Sequence, residues 1–322
     1  MSEASITDDT IPDAGVAEAL ARAAAGSRPT RVSRFTTGSQ HFVFEVGFLD
    51  HDPVVVRIAR AADRGLVAGA ARLSHALRPL GVPLPAILAE SLDPPFPYLI
   101  LERLPGTDLG HVIAGLPINR LEAIAAEIVR AQRIVATTPS AGRYGYAYDP
   151  EKAPHDRWSQ NLEASLGRSR SRIAAVGIFD LALVDALEAA FTTLRREADE
   201  QPATPFLHDT TTKNVIVTND GAFSGIVDVD DLCFGDPRSV VALTLAALTA
   251  FGGPIAYAET WMRTAGFRDD RLFRFYVAMC LLDFLSEEGQ IFNGNQAQPR
   301  RRSAGRCSTS TPPPCSALAR TG

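Results

Sequence analysis

Cysteine is scarce in this chain: the four are Cys233, Cys280, Cys307 and Cys315. None of them stands at a metal-ligand spacing. Cys233 and Cys280 lie among apolar neighbours, where a free thiol behaves as a small hydrophobe, so a reducing compartment is expected. Long apolar runs are missing too. No stretch approaches the roughly eighteen apolar residues of a membrane-spanning helix. Met1 to Thr10 is acidic and lacks the basic segment and apolar run of a secretory signal. The expected location is the cytoplasm, with no membrane partner. Positive charge is in deficit, with 32 Lys and Arg against 37 Asp and Glu and a net charge of −5. Five of the arginines fall in the last twenty-eight residues, which carry no acid, leaving the rest of the chain near −10. That disfavours nucleic acid as a partner, because neutralising phosphates takes clustered Lys and Arg. The surplus acid is compatible with a cationic small molecule, and equally with solubility alone. Internal repeats are absent.

What is present is the composition of an ordinary globular protein, 46% apolar and 21% charged, long enough for one large or two small domains. Residues 1–12 read as disordered. Asp13 opens a helix over Ala14 to Ala25, rich in Ala and Leu, with Gly26 just past its end. Strand patterns follow at Arg31 to Thr36, His41 to Val46 and Pro53 to Ile58, with the turn Thr37-Gly-Ser-Gln40 between the first two. A helix is expected from about Asp63 to Leu80, then strands at Ala86 to Glu90 and Tyr98 to Glu102. Beyond that the chain turns helical, at Ile118 to Thr138, Arg157 to Arg172 and Leu181 to Ala198. Arg238 to Phe251 and roughly Tyr257 to Gly289 close the fold. From Asn295 the composition is Gln, Pro, Ser, Thr and Arg, that of a disordered tail.

The chemistry concentrates in Phe206 to Val217 and Gly225 to Asp231. Asp209 and Asn214 stand five apart on a polar loop between apolar strands, and Asp228 ends the next apolar run. Phosphoryl transfer needs a carboxylate to orient the acceptor hydroxyl, and an amide oxygen with a second carboxylate to hold magnesium. Kinase catalytic loops space Asp and Asn in this way, with the metal Asp on a nearby strand. Singly, such residues are turn formers; it is the ordered set that points to a nucleotide and metal site.

This stretch resembles the catalytic core of the aminoglycoside phosphotransferase family, small-molecule kinases with a protein-kinase-like fold. The resemblance rests on Asp209, Asn214, the strand Val215 to Val217, Val227-Asp228, Asp230, Asp231 and Gly235-Asp-Pro237. Two departures stand out. The family's loop-bracing His lies two residues before the Asp, whereas His208 is adjacent to Asp209 and Leu207 fills the usual place. The family's helix Glu, which pairs with a phosphate-binding Lys on the third strand, falls near Gly69 or Ala70, which carry no acid. Arg57 stands at the Lys position, where a guanidinium can bind phosphate as a fork.

The resemblance implies an α+β, bilobal fold. A small N-terminal nucleotide-binding lobe with an antiparallel sheet (13–102) would join a larger, mainly helical catalytic and acceptor-binding lobe (103–294), with a basic tail at 295–322. It implies ATP and Mg²⁺ as cofactors. Asp209 would be catalytic, and Asn214 and Asp228 the metal ligands. Gly38, Ser39 and Arg57 would contact the phosphates. Ile100 would wall the adenine, with Glu102 and Leu104 as backbone contacts. Asp230, Asp231, Asp283 and Trp158 are candidates to contact a small hydroxylated acceptor. The alternative reading is a nucleotide-binding regulator without catalysis.

Overall fold

The computed structural model describes residues 11–35, 41–292 and 295–296. The segments expected to be disordered, 1–12 and 295–322, lie outside that set except for residues 11–12 and 295–296. The turn carrying Gly38 and Ser39 also lies outside it.

Helix α1 (Ala14–Ala25) starts where the Asp13 carboxylate accepts a hydrogen bond from the Val16 N–H and stops at Gly26, whose φ is 70°. A side-chain acceptor at the first turn and a residue free to adopt positive φ at the last are what a helix end requires. Strands β1 (Arg31–Arg34), β2 (Phe42–Gly47), β3 (Val54–Ile58), β4 (Ile87–Ser91) and β5 (Tyr98–Glu102) form one sheet in the order β1-β2-β3-β5-β4. Every pairing in it is antiparallel. Because strand side chains alternate, the sheet has two distinct faces. Phe42, Phe44, Val46, Val54, Val56, Ile58 and Ile100 pack with Ala17 and Ala21 of α1. On the other face Leu99 packs with Val67, Ala70 and Ala71 of helix α2 (Arg64–Leu77), and Val43, Val55, Arg57 and Leu101 look into a cleft.

After a short linker come β6 (Thr107–Asp108), α3 (Leu109–Val112), α4 (Ile118–Val135), β7 (Gly145–Ala147), α5 (Trp158–Val176) and α6 (Ala182–Asp199). Then follow β8 (Thr204–Phe206), β9 (Val215–Val217), β10 (Phe223–Ile226), β11 (Leu232–Gly235), α7 (Arg238–Phe251), α8 (Ala256–Ala265) and α9 (Arg271–Ser286). The short strands make two three-stranded sheets, β10-β9-β6 and β7-β11-β8. A second, larger core joins α4 to α9. At its centre the Trp158 indole N–H donates to the Tyr276 hydroxyl at 2.8 Å, and that hydroxyl donates to Asp236 at 3.0 Å.

Two local departures from the sequence reading have clear causes. The closing stretch at 257–289 is interrupted because Gly266 adopts φ 75° and Asp270 then caps a new helix through the Phe273 N–H. Between the helices read at Ile118 to Thr138 and Arg157 to Arg172 lies β7, a strand that no pattern of its own announced and that is held by pairing with β11.

Candidate active site

The connection from β8 to β9 is the polar loop that carries Asp209. Its entry is clamped by Gln132 of α4, whose amide oxygen accepts from the Leu207 N–H at 2.9 Å. The Gln132 amide N–H₂ donates to the Leu207 carbonyl at 2.9 Å and to the Thr210 hydroxyl at 3.1 Å. Leu207 is buried where the family's bracing His would stand. His208 bridges to the next loop instead, its Nε2 lying 2.6 Å from Asp231 Oδ1. Burial pushes the His208 pKa down, but the Asp231 hydrogen bond and the charges of Asp231, Asp209 and Asp230 outweigh it, so the net shift is upward.

Asp209 faces the cleft, its carboxylate accepting from the Thr211 hydroxyl at 3.1 Å. The Asn214 side-chain amide donates an N–H to the Asp209 backbone carbonyl at 2.9 Å, and the Asn214 backbone carbonyl accepts from the Val227 N–H at 2.9 Å. Those bonds tie the first loop to the strand end that precedes Asp228. Asp228 has φ 65°, the one positive φ among the described non-glycine residues. Such a conformation costs on the order of 1–3 kcal/mol and persists where surrounding structure enforces it, commonly at functional sites. Its side chain is 49% exposed and lines the cleft.

Arg57 reaches across from β3. Its Nη2 lies 2.9 Å from Asp228 Oδ1 and 2.5 Å from the Asp230 carboxylate. His41 Nε2 meets the same carboxylate at 2.9 Å. Burial pushes the Asp230 carboxyl up, yet the Arg57 charge and the His41 bond hold it below the usual carboxylate range. Burial likewise pushes the Arg57 pKa down, and Asp230 and Asp228 more than restore it. Two buried polar atoms of this cluster, His41 Nδ1 and Arg57 Nε, have no hydrogen-bond partner among the described residues. Buried polar atoms are rarely left this way unless a ligand or water completes them.

The linker after β5 is pinned by Arg103. Its Nε donates to Glu45 at 2.8 Å and its Nη atoms donate to the carbonyls of Leu104 and Gly106. Gly106 adopts φ 106°, and a Cβ there would stand 1.9 Å from the Val217 carbonyl oxygen. The linker therefore lies directly on β9. Glu102, Arg103 and Leu104 all line the cleft, whose volume is about 430 Å³. The Glu102 carboxylate accepts from the Ala86 N–H at 3.0 Å.

Arg57, Glu102, Leu104, Asp209, Asn214, Asp228, Asp230 and Asp231 thus meet around one cleft. Three residues read from the sequence do not. Ile100 faces α1 on the opposite side of the sheet, and its neighbour Leu101 walls the cleft. Trp158, 1% exposed, belongs to the core. Asp283 is engaged by Ser169 and Arg172, each at 3.1 Å, away from the cleft. The Tyr146 ring lies edge-on to His208, with ring centroids 4.9 Å apart. His41, Leu101 and Gln132 belong to or support the site and went unread; they are recognisable only once the strands are paired and α4 is packed on the loop.

No cluster of three or more His, Cys, Asp or Glu side chains arranged to hold a metal exists among the described residues. The oxygens of Asn214 and Asp228 fit magnesium in another way, since that ion commonly takes one or two carboxylates and completes its shell with waters and substrate phosphates.

A two-lobed, kinase-like α+β architecture with this cleft defines the class as a small-molecule phosphotransferase. Residues 31–276 match the phosphotransferase enzyme family, APH, and the chain belongs to that family. Among solved structures it resembles aminoglycoside phosphotransferase APH(4)-Ia at 17% identity, with a TM-score of 0.61 and coverage of 85% of this chain and 91% of that one. It resembles ADP-bound APH(2'')-Ib at 11% identity, TM-score 0.60, covering 85% and 92%. A putative fructosamine-3-kinase from Thermobifida fusca YX-ER1 matches at 17% identity, TM-score 0.57, covering 86% and 93%. No curated protein matches the sequence. No helix among the described residues is long and apolar enough to cross a membrane.

Proposed function

We propose that this protein transfers the γ-phosphoryl group of ATP to a hydroxyl of a small molecule, with residues 13–102 as the nucleotide lobe and 103–294 as the catalytic and acceptor lobe. The observation that carries the reading is the convergence of Asp209, Asn214, Asp228 and Arg57 on one cleft bordered by the linker Glu102 to Leu104. Magnesium held by the Asn214 amide oxygen and the Asp228 carboxylate would neutralise charge on the phosphate oxygens. Asp209 orients the acceptor hydroxyl and takes its proton as the new oxygen–phosphorus bond forms and the bond to the leaving ADP oxygen breaks. Most of the barrier is lowered by positioning and charge neutralisation, so Asp209 needs no unusual pKa. The Arg57 guanidinium and the exposed Lys213 ammonium supply positive charge to the phosphates. Val55, Leu101 and Ile216 offer apolar walls to the base, whose edge would meet the backbone at Glu102 and Leu104.

The relatives are crystallised with AMP-PNP and hygromycin B in one case and with GDP and kanamycin in another, which supports nucleotide use and a small hydroxylated acceptor. Within that range, the acids of α9 and its approach weigh against a polycationic acceptor held by them. Asp269 pairs with Arg274, Asp270 with Arg238, and Asp283 with Arg172.

Asp209→Ala separates catalysis from nucleotide binding without catalysis. In a magnesium-dependent ADP-release assay against a panel of hydroxylated amines and sugars, the variant should lose roughly 10²–10⁴-fold in turnover while keeping its fold. An unchanged rate removes Asp209 from the reaction. Wild-type protein that binds nucleotide but turns over no acceptor favours the regulator.

A further inference from the structure

Helix α2 carries no acid anywhere in its sequence, Arg64 to Leu77. At the position nearest the cleft loop it has Gly69, and a Cβ built there would stand 2.5 Å from the Asp230 carbonyl oxygen and 2.8 Å from the Tyr148 ring. The helix therefore rests directly on the backbone of the loop after β10, and no side chain fits between them. The carboxylate that meets Arg57 comes from that loop. Asp230 has a side chain only 13% exposed, shared between Arg57 Nη2 and His41 Nε2.

We propose that Asp230 is the positioning residue for Arg57, replacing a helix carboxylate, with Gly69 the vacancy on α2 that lets the loop approach. This rests on the reading of the cleft as a nucleotide site. Arg57 Nη2 is taken up by Asp230 and Asp228, and Nε is left without a partner among the described residues. Held in this way, the guanidinium is fixed at the wall of the cleft. Asp230 lies two residues from Asp228, so the loop that presents the metal carboxylate also sets the arginine. His41 ties the same carboxylate to the start of β2. One side chain thereby links β2, β3 and the metal loop. An arginine suits this arrangement better than a lysine, because a planar fork can serve a carboxylate and a phosphate from different edges.

The test is a double-mutant cycle read as affinity for ATP with Mg²⁺ by calorimetry, alongside the melting midpoint of the free proteins. Asp230→Asn keeps the shape and removes the charge, and Arg57→Met removes the guanidinium. Each single variant should bind nucleotide roughly tenfold more weakly, and the double variant no more weakly than Arg57→Met alone, because contacting residues couple in this way. Losses that multiply in the double variant, or an Asp230→Asn protein that binds as well as wild type, overturn the proposal while leaving the kinase reading intact. A wild-type protein with no nucleotide affinity removes that reading and this proposal together. Should Asp230→Asn fail to fold, Gly69→Ala takes its place in the cycle. It must weaken binding when Arg57 is present and not when Met replaces it, and equal losses in both backgrounds overturn the assignment.

Discussion

At the scale of single residues, the site is held by pairings between groups far apart in sequence. Arg57 and Asp230 are 173 residues apart, and His41 and Asp230 are 189 apart. No spacing rule reaches that far, which is why the resemblance marks Arg57 as a phosphate-binding candidate yet leaves its partner unnamed. Asp209, Asn214 and Asp228 were legible because kinase-type chemistry fixes their short-range order. His208 shows how one displaced residue takes a different role. Its partner is Asp231, and the net upward pKa shift means the folded protein binds that proton more tightly than the unfolded chain does. Stability from the pair is therefore full below the ordinary histidine pKa of about 6.5 and is lost as pH rises through the folded value. Melting midpoints taken from about pH 6 to about pH 9 should fall more steeply for wild type than for His208→Gln. Parallel slopes would mean the pair contributes no pH-dependent stability.

At the scale of elements, strong local signals were readable and register was not. Strand β5 and helix α7 match the sequence reading to the residue, Tyr98 to Glu102 and Arg238 to Phe251. Their ends are set by local chemistry: Glu102 gives way to Arg103-Leu-Pro-Gly, and α7 stops at Gly252 with φ 79°. The face that β5 turns to the cleft is decided by pairing with β3, and a slip of one residue inverts it. That is the whole difference between Ile100 and Leu101. Substitution separates their roles. Ile100→Ala empties a site in the α1 core and should cost about 2–5 kcal/mol of stability with little change in nucleotide affinity of the folded protein. Leu101→Ala should weaken nucleotide binding with a smaller loss in denaturant midpoint. The opposite pattern would put the base on the other face of the sheet. The Gly235-Asp-Pro237 motif is likewise an element-scale device. Asp236 is 3% exposed and takes a forked pair from Arg238 together with the Tyr276 hydroxyl. Those bonds fasten the start of α7 to α9, so this carboxylate has no capacity left for a metal.

At the scale of the molecule, two cores face one cleft. The N-terminal sheet buries one face on α1 and shares the other between α2 and the cleft, while the short strands β8 to β11, packed on the C-terminal helices, carry the loops that supply Asp209, Asn214 and Asp228. The lobes meet through the Arg103-pinned linker and through the Arg57–Asp230–His41 cluster, so binding between them should draw on both. The measurement that tests this most directly is the melting midpoint of the wild-type protein with ATP, with Mg²⁺, and with both. Ligand that binds only the folded state stabilises it by about 2.7 kcal/mol at a hundredfold excess over its dissociation constant. A rise with ATP and Mg²⁺ together that exceeds either alone, and that shrinks in Asp228→Asn, is the predicted result. A midpoint indifferent to nucleotide and magnesium would contradict the account.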